Sequence, residues 1–136
     1  MQVVELTAQQ TIPIRHKVLW PNELPEYCML KGDDKALHFG VTINNKLVSV
    51  ASIYMDNDPS SARLRKFATL AEFQGKGIGS HLLNHIIQIL SKRNVTYFWF
   101  DARSSAVNFY QGLGFQISGE QFYKNKVSYY KMHANL

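Results

Sequence analysis

An α/β fold, with helices packed on a mixed sheet, is what the 136 residues of this chain predict. Three patterns carry the prediction. Leu37, Phe39, Val41 and Ile43 alternate with His38, Gly40 and Thr42 and lead into Asn44-Asn45, which reads as a strand entering a tight hairpin. Gly79, Leu82, Leu83, Ile86, Ile87 and Leu90 fall at i, i+3, i+4, i+7, i+8 and i+11, one continuous apolar face of a helix. Residues 95–100 form a nearly unbroken β-branched and aromatic run, as expected of a strand covered on both faces.

The elements follow in chain order. Residues 3–6 supply a short opening strand. The next helix is expected to start at Thr11 and Pro13, because a hydroxyl caps a first turn and proline's missing N–H costs nothing there. It ends near Trp20-Pro21, and residues 22–34 read as a loop with room for one helical turn. Leu37–Ile43 and residues 47–55 make the hairpin around Asn44-Asn45, both tolerant of positive φ. Residues 56–61 are a turn cluster, and residues 64–70 another strand. After the amphipathic helix and the strand at 95–100, residues 104–113 fit a second helix, with Gly114 as its left-handed cap. Residues 115–118 and 127–132 close the chain as a hairpin around Lys124-Asn125-Lys126. No repeat, low-complexity tract or linker interrupts this order, so one domain over 1–136 is expected.

Composition narrows the function. With 46% hydrophobic and 18% charged residues, the chain has too much apolar material to remain disordered. No stretch approaches the roughly 18–20 apolar residues of a membrane helix, so no membrane partner is expected. The first six residues lack a basic segment followed by an apolar core, so no secretory signal is read and the cytoplasm is the expected location. The single cysteine, Cys28, excludes an internal disulfide framework and a Cys-rich zinc site. His81 and His85 are four apart on one helix face but lack a third ligand, so no metal is expected. The net charge of +5 invites a polyanion. Nucleic acid demands a dense stripe of Lys and Arg, whereas Arg63-Leu64-Arg65-Lys66, Lys92-Arg93 and Lys124-Asn125-Lys126 are short and scattered. Nucleic acid is therefore not expected; a small phosphorylated ligand fits better.

The chemical signal is Gln74-Gly75-Lys76-Gly77-Ile78-Gly79, between a strand and a helix. The first N–H groups of a helix lack partners within it, its dipole adds partial positive charge, and glycines let backbone approach phosphate oxygens. Walker A spacing is absent, and counting from Gly75 the sixth position of a dinucleotide fingerprint is Ser80 rather than glycine. The segment does fit Gln/Arg-x-x-Gly-x-Gly/Ala, with Gln74, Gly77 and Gly79 in the defined positions. That pattern resembles the pyrophosphate-binding motif of the GNAT acetyltransferase superfamily. Further along, Ala106, Tyr110, Gly114 and Phe115 stand in register with a second segment of the same family, and Arg103 stands where many members carry asparagine.

The resemblance implies a mostly antiparallel central sheet flanked by helices, with acetyl-CoA as co-substrate and no metal. It implies a cofactor cleft between the strand at 64–70 and the strand at 95–100. The pantetheine arm would bond to backbone around Phe67, Ala68 and Thr69. The pyrophosphate would lie on the amides of Gln74, Gly75, Lys76, Gly77, Ile78, Gly79 and Ser80, with Arg103 and Asn108 as further cofactor-binding candidates. A backbone N–H near Ala68 or Thr69 would polarise the acyl carbonyl, a contact worth about 3 kcal/mol.

Tyr110 is the candidate acid by its family position. Many members place a glutamate base on the central strand; here that strand opens with Arg63, Arg65 and Lys66 and meets no carboxylate until Glu72. His38 is the candidate base, because imidazole titrates near neutrality. The regions that form the acceptor pocket in the family supply Arg15, Trp20, Tyr27, Asp33, Asp34, Tyr123 and Tyr129, of which Asp33 and Asp34 could attract a cationic amine. The expected function is acetyl transfer to the primary amine of a small molecule or protein, by a monomer or homodimer. The alternative is a non-catalytic acyl-CoA-binding sensor.

Overall fold

The computed structural model describes residues 1–136. Its elements are β1 (Gln2–Leu6), α1 (Ala8–Leu19), β2 (Leu37–Ile43), β3 (Lys46–Met55), β4 (Ser61–Thr69), α2 (Ile78–Lys92), β5 (Tyr97–Arg103), α3 (Val107–Gly112), β6 (Gln116–Lys124) and β7 (Val127–Asn135). All seven strands join one sheet in the order β1-β2-β3-β4-β5-β7-β6. Every neighbouring pair is antiparallel except β4 with β5. The mixed, mostly antiparallel sheet flanked by helices is thus present.

The two hairpins form where the sequence places them. Asn44 and Asn45 (φ 51° and 65°) turn β2 into β3, and Asn125 and Lys126 (φ 48° and 68°) turn β6 into β7. Arg15 on α1 reaches Ser52 of β3, so Ser52 points toward α1. Strand alternation then sends Ala51 and Ile53 to the opposite face, the side on which α2 packs. Of the predicted stripe of α2, Leu82, Leu83, Ile86 and Leu90 are fully buried there, and Gly79 and Ile87 are half-buried. No helix is long and apolar enough to cross a membrane.

Three expectations change. The first helix begins at Ala8, ahead of Thr11. Thr7 is its cap: the Thr7 hydroxyl accepts from the Gln10 N–H and the Gln10 side chain accepts from the Thr7 N–H, a reciprocal pair that satisfies two orphan donors. Thr11 is instead buried in the helix, its hydroxyl donating to the Ala8 carbonyl, and Pro13 is interior on the exposed side. Two short 3-10 turns, Pro25–Cys28 and Asp33–Lys35, occupy the following loop. Finally, β5 starts two residues later than expected and is covered on one face only. Phe98, Phe100 and Ala102 are buried, while Tyr97, Trp99 and Asp101 face the side of the sheet that carries α1, which packs on β3 and β4 rather than over β5. There Arg63 and Lys131 stack over the Trp99 ring, 4.6 and 4.7 Å from its centroid.

Candidate active site

The site begins with a strand that leaves its neighbour. Parallel pairing of β4 with β5 holds only for Ser61, Ala62 and Arg63 opposite Tyr97, Phe98 and Trp99. Beyond them β4 carries one extra residue relative to β3, since Val50 pairs with Ala68 while Ser52 pairs with Arg65. Lys66 sits in this bulge with φ 54°. The bulge bends β4 away, and β5 continues alone against β7. Phe67, Ala68 and Thr69 are left lining an open wedge.

Above the wedge the chain turns through Ala71–Phe73 into α2. The Gln74 side chain donates to the Thr69 carbonyl at 2.9 Å, strapping this turn to the end of β4. Gly77 precedes the helix in the left-handed region (φ 79°), and no side chain caps the first turn. Its leading N–H groups are therefore free to meet an anion. Gly79 is needed for a different reason: a Cβ there would stand 2.8 Å from Cζ of Phe67. The ring of a wedge residue thus rests directly on the helix start.

The resulting cavity, about 440 Å³, is bounded by β4 from Phe67 to Thr69, by the glycine turn and first turn of α2, and by Ala106, Phe109 and Tyr110. A second cavity of about 360 Å³ shares Phe67, Ala106 and Tyr110 with it, so the two are one cleft divided by these residues. The second is walled by Leu19 and Trp20 from the end of α1, by Arg65 and Lys66, by Asp101 and Arg103, and by Tyr129.

Tyr110 stands between the cavities, its ring 4.5 Å from Phe100 and in edge contact with Phe109 and Phe115. Burial alone pushes its hydroxyl up to about 12, so it is protonated at every physiological pH. Lys66, 4.6 Å over the Trp20 ring, is pushed down to about 8, by burial first and then by repulsion from Arg65, Arg15, Lys124 and Arg63. Asp101 is the sole carboxylate in either cavity, and it already accepts from Arg63 at 3.1 Å and from Lys124 at 3.0 Å.

Most of the predicted cofactor residues meet here: Phe67, Ala68, Thr69, Gln74, Gly75, Gly77, Ile78, Gly79 and Ser80 line the first cavity beside Tyr110. Lys76 and Asn108 are exposed and line neither cavity; the Lys76 ammonium lies 5.6 Å over the Phe73 ring. Arg103 lines the second cavity rather than the first.

His38 does not join the cleft. It is buried against another cavity, with Nδ1 hydrogen-bonded to the Ser52 hydroxyl at 2.7 Å and Nε2 to the Asp33 carbonyl at 2.8 Å. Both ring nitrogens are occupied by structural partners, which leaves no atom to receive a substrate proton. Asp33 is likewise withdrawn: Arg15 grips it at 2.7 and 3.1 Å, and Tyr54 and the Leu30 N–H donate to it. Burial raises the Asp33 carboxyl, but these donors outweigh burial and hold it below the usual carboxylate range. Of the other acceptor candidates, Trp20 and Tyr129 line the second cavity while Arg15, Tyr27, Asp34 and Tyr123 do not.

Sequence reasoning missed Asp101, Lys66 and the apolar walls Phe73, Ala106 and Phe109. A signal for Asp101 was available: period-2 alternation through residues 97–103 places Asp101 and Arg103 on the Trp99 side.

Comparison with known proteins agrees with this geometry. Residues 5–136 match the family described as the acetyltransferase (GNAT) domain. The chain is 32% identical over 129 residues to the uncharacterized N-acetyltransferase YitI of Bacillus subtilis (strain 168), covering 90% of this chain and 87% of that protein. It is 34% identical over 85 residues to the [Ribosomal protein bS18]-alanine N-acetyltransferase of Escherichia coli (strain K12), covering 60% of this chain and 56% of that one. The fold superposes on a GNAT family acetyltransferase from Elizabethkingia anophelis with acetyl-CoA bound. The TM-score is 0.77 at 18% identity, with 99% of this chain and 97% of that chain covered.

Proposed function

The chain belongs to the GNAT acetyltransferase family, and from that premise we propose that it transfers an acetyl group from acetyl-CoA to a primary amine by direct attack on the thioester. The observation that carries the reading is the first cavity, where the stretch of β4 that has parted from β5, the uncapped start of α2 and the Tyr110 ring line one space. Each part fits a different portion of the cofactor. The glycine turn with the leading N–H groups of Ile78, Gly79 and Ser80 fits a pyrophosphate. The Phe67–Thr69 backbone, paired with β3 on one side but lacking a partner strand on the β5 side, fits an extended arm that carries amides. When bound, acetyl-CoA supplies the activated acyl carbon.

Tyr110 acts at the sulfur end. A hydroxyl near 12 donates a hydrogen bond readily but gives up its proton reluctantly. Full transfer to a thiolate of ordinary basicity would be uphill by roughly three to four pKa units. Its main contribution is therefore a hydrogen bond that stabilises the departing sulfur, with the proton following as the product relaxes. Phe109, Phe115 and Phe100 hold the ring in place for this role.

The experiment is a titration with acetyl-CoA, followed by thiol-release assays across a panel of primary amines. Binding with amine-dependent release supports the reading; absence of binding at millimolar acetyl-CoA overturns it. One observation favours the sensor alternative. No histidine lines either cavity, and the only carboxylate there is held by two cations. A sensor binds acetyl-CoA and releases no thiol above background hydrolysis with any amine.

A further inference from the structure

We infer that the second cavity takes a small amine that also carries an anionic group, a carboxylate or a phosphate. The inference rests on the acyltransferase reading above and names the acceptor class for it. Its basis is the cavity's charge. Arg65, Lys66 and Arg103 line it, and none of the three has a carboxylate partner. Arg63 and Lys124 stand directly behind, sharing Asp101 between them. Five cations thus face one carboxylate around about 360 Å³, a volume suited to a small molecule.

Cations gathered in a half-buried cavity repel one another, and Lys66 registers the result. Its ammonium is disfavoured by burial and by four positive neighbours, and it leans over Trp20 instead of a counter-ion. An incoming anion relieves this repulsion and gains charge-assisted hydrogen bonds. A diamine or a polycationic acceptor would add to it.

The same field addresses the absent base. Attack on a thioester requires a neutral amine, and a positive cavity disfavours an ammonium just as it disfavours that of Lys66. An amine anchored by its anionic end is delivered beside Tyr110 with its proton already loosened, and solvent can carry that proton away. The bond-making step balances without another reagent. The amine nitrogen bonds to the acyl carbon, the carbon–sulfur bond breaks, and the nitrogen's proton leaves to solvent as the sulfur is protonated.

Matched amines test this: O-phosphoethanolamine against ethanolamine, 4-aminobutyrate against 4-aminobutanamide, and 1,4-diaminobutane. The measurement is kcat/KM for thiol release with acetyl-CoA, run beside calorimetric titration of coenzyme A. The anionic member of at least one pair is expected to exceed its neutral match by roughly tenfold or more; which pair does so distinguishes phosphate from carboxylate. That ratio is expected to fall several-fold in Arg65→Gln and in the exposed-site variant Arg103→Gln, and to shrink as salt rises. Coenzyme A binding with equal rates across each pair, or with the diamine preferred, overturns the inference and leaves the acyltransferase standing. If Arg65→Gln and Arg103→Gln weaken coenzyme A binding as much as they lower the ratio, the cations serve the cofactor and the inference fails. Neither binding nor turnover overturns the acyltransferase reading, and this one with it.

Discussion

Replacing Asp33 with asparagine should destabilise this protein more than most single changes, although the position lies outside the cleft. Arg15 is fully buried and makes four hydrogen bonds, two to Asp33, one to the Cys28 carbonyl and one to the Ser52 hydroxyl. Asp33→Asn keeps the shape but leaves the guanidinium charge without its counter-charge, a loss of about 3–5 kcal/mol for a buried pair. Unfolding entropy of about 2.1 cal/mol/K per residue gives about 0.29 kcal/mol/K for this chain. The Tm should therefore drop by roughly 10–17 °C, read by calorimetry or circular dichroism at pH 7. The acid side gives an internal check. A carboxylate held below its ordinary range stabilises fully above its unfolded pKa, near 4, and loses that contribution as pH falls through its folded value. The wild-type and Asp33→Asn curves should converge as pH drops below about 4. A Tm change under about 3 °C at pH 7, or curves parallel at all pH values, would refute the reasoning.

Further outcomes follow from the cleft. Tyr110→Phe should lower kcat about 10²-fold or more while acetyl-CoA affinity stays within about twofold, measured by steady-state kinetics and calorimetry. Gly79→Ala places a Cβ 2.8 Å from the Phe67 ring tip and should cost about 1–3 kcal/mol in urea unfolding. Phe67→Leu in the same chain should recover part of that loss, because it removes the atom that clashes. Gly77→Ala, at φ 79°, should cost about 1–2 kcal/mol with no such rescue. Lys66, held near 8, should react with an amine-modifying reagent at pH 8 faster than the chain's ordinary lysines, as site-resolved mass spectrometry can show. Because the folded chain releases that proton earlier than the unfolded one, Lys66 should make stability rise between about pH 8 and 10.5, a slope that Lys66→Met lacks.

What could be read from sequence was local. Two asparagines in a row specify a turn of positive φ, and the stripe of α2 needs only a period of 3.6. The glycine turn at 74–79 was legible because its spacing and its place between strand and helix are both short-range. The start of α1 lies among competing local signals, where the reciprocal Thr7–Gln10 cap outweighs the proline preference. The rest depends on residues far apart in the chain. Arg15 and Asp33 are separated by 18 positions and join only through the packing of α1 on β3. The same network gives His38 two hydrogen-bond partners, which a lone histidine in a strand pattern cannot disclose. Lys66 enters the cleft because β4 bulges at that residue, and neither the bulge nor the wedge beyond it leaves a mark in hydrophobic alternation.

Acetyl transfer itself is most directly tested by mass spectrometry of the products formed from acetyl-CoA and the panel of primary amines. The account predicts free coenzyme A and an N-acetylated amine in equal amounts, dependent on both reactants and sharply reduced in Tyr110→Phe. Tight acetyl-CoA binding with no acetylated amine from any member of the panel would contradict it.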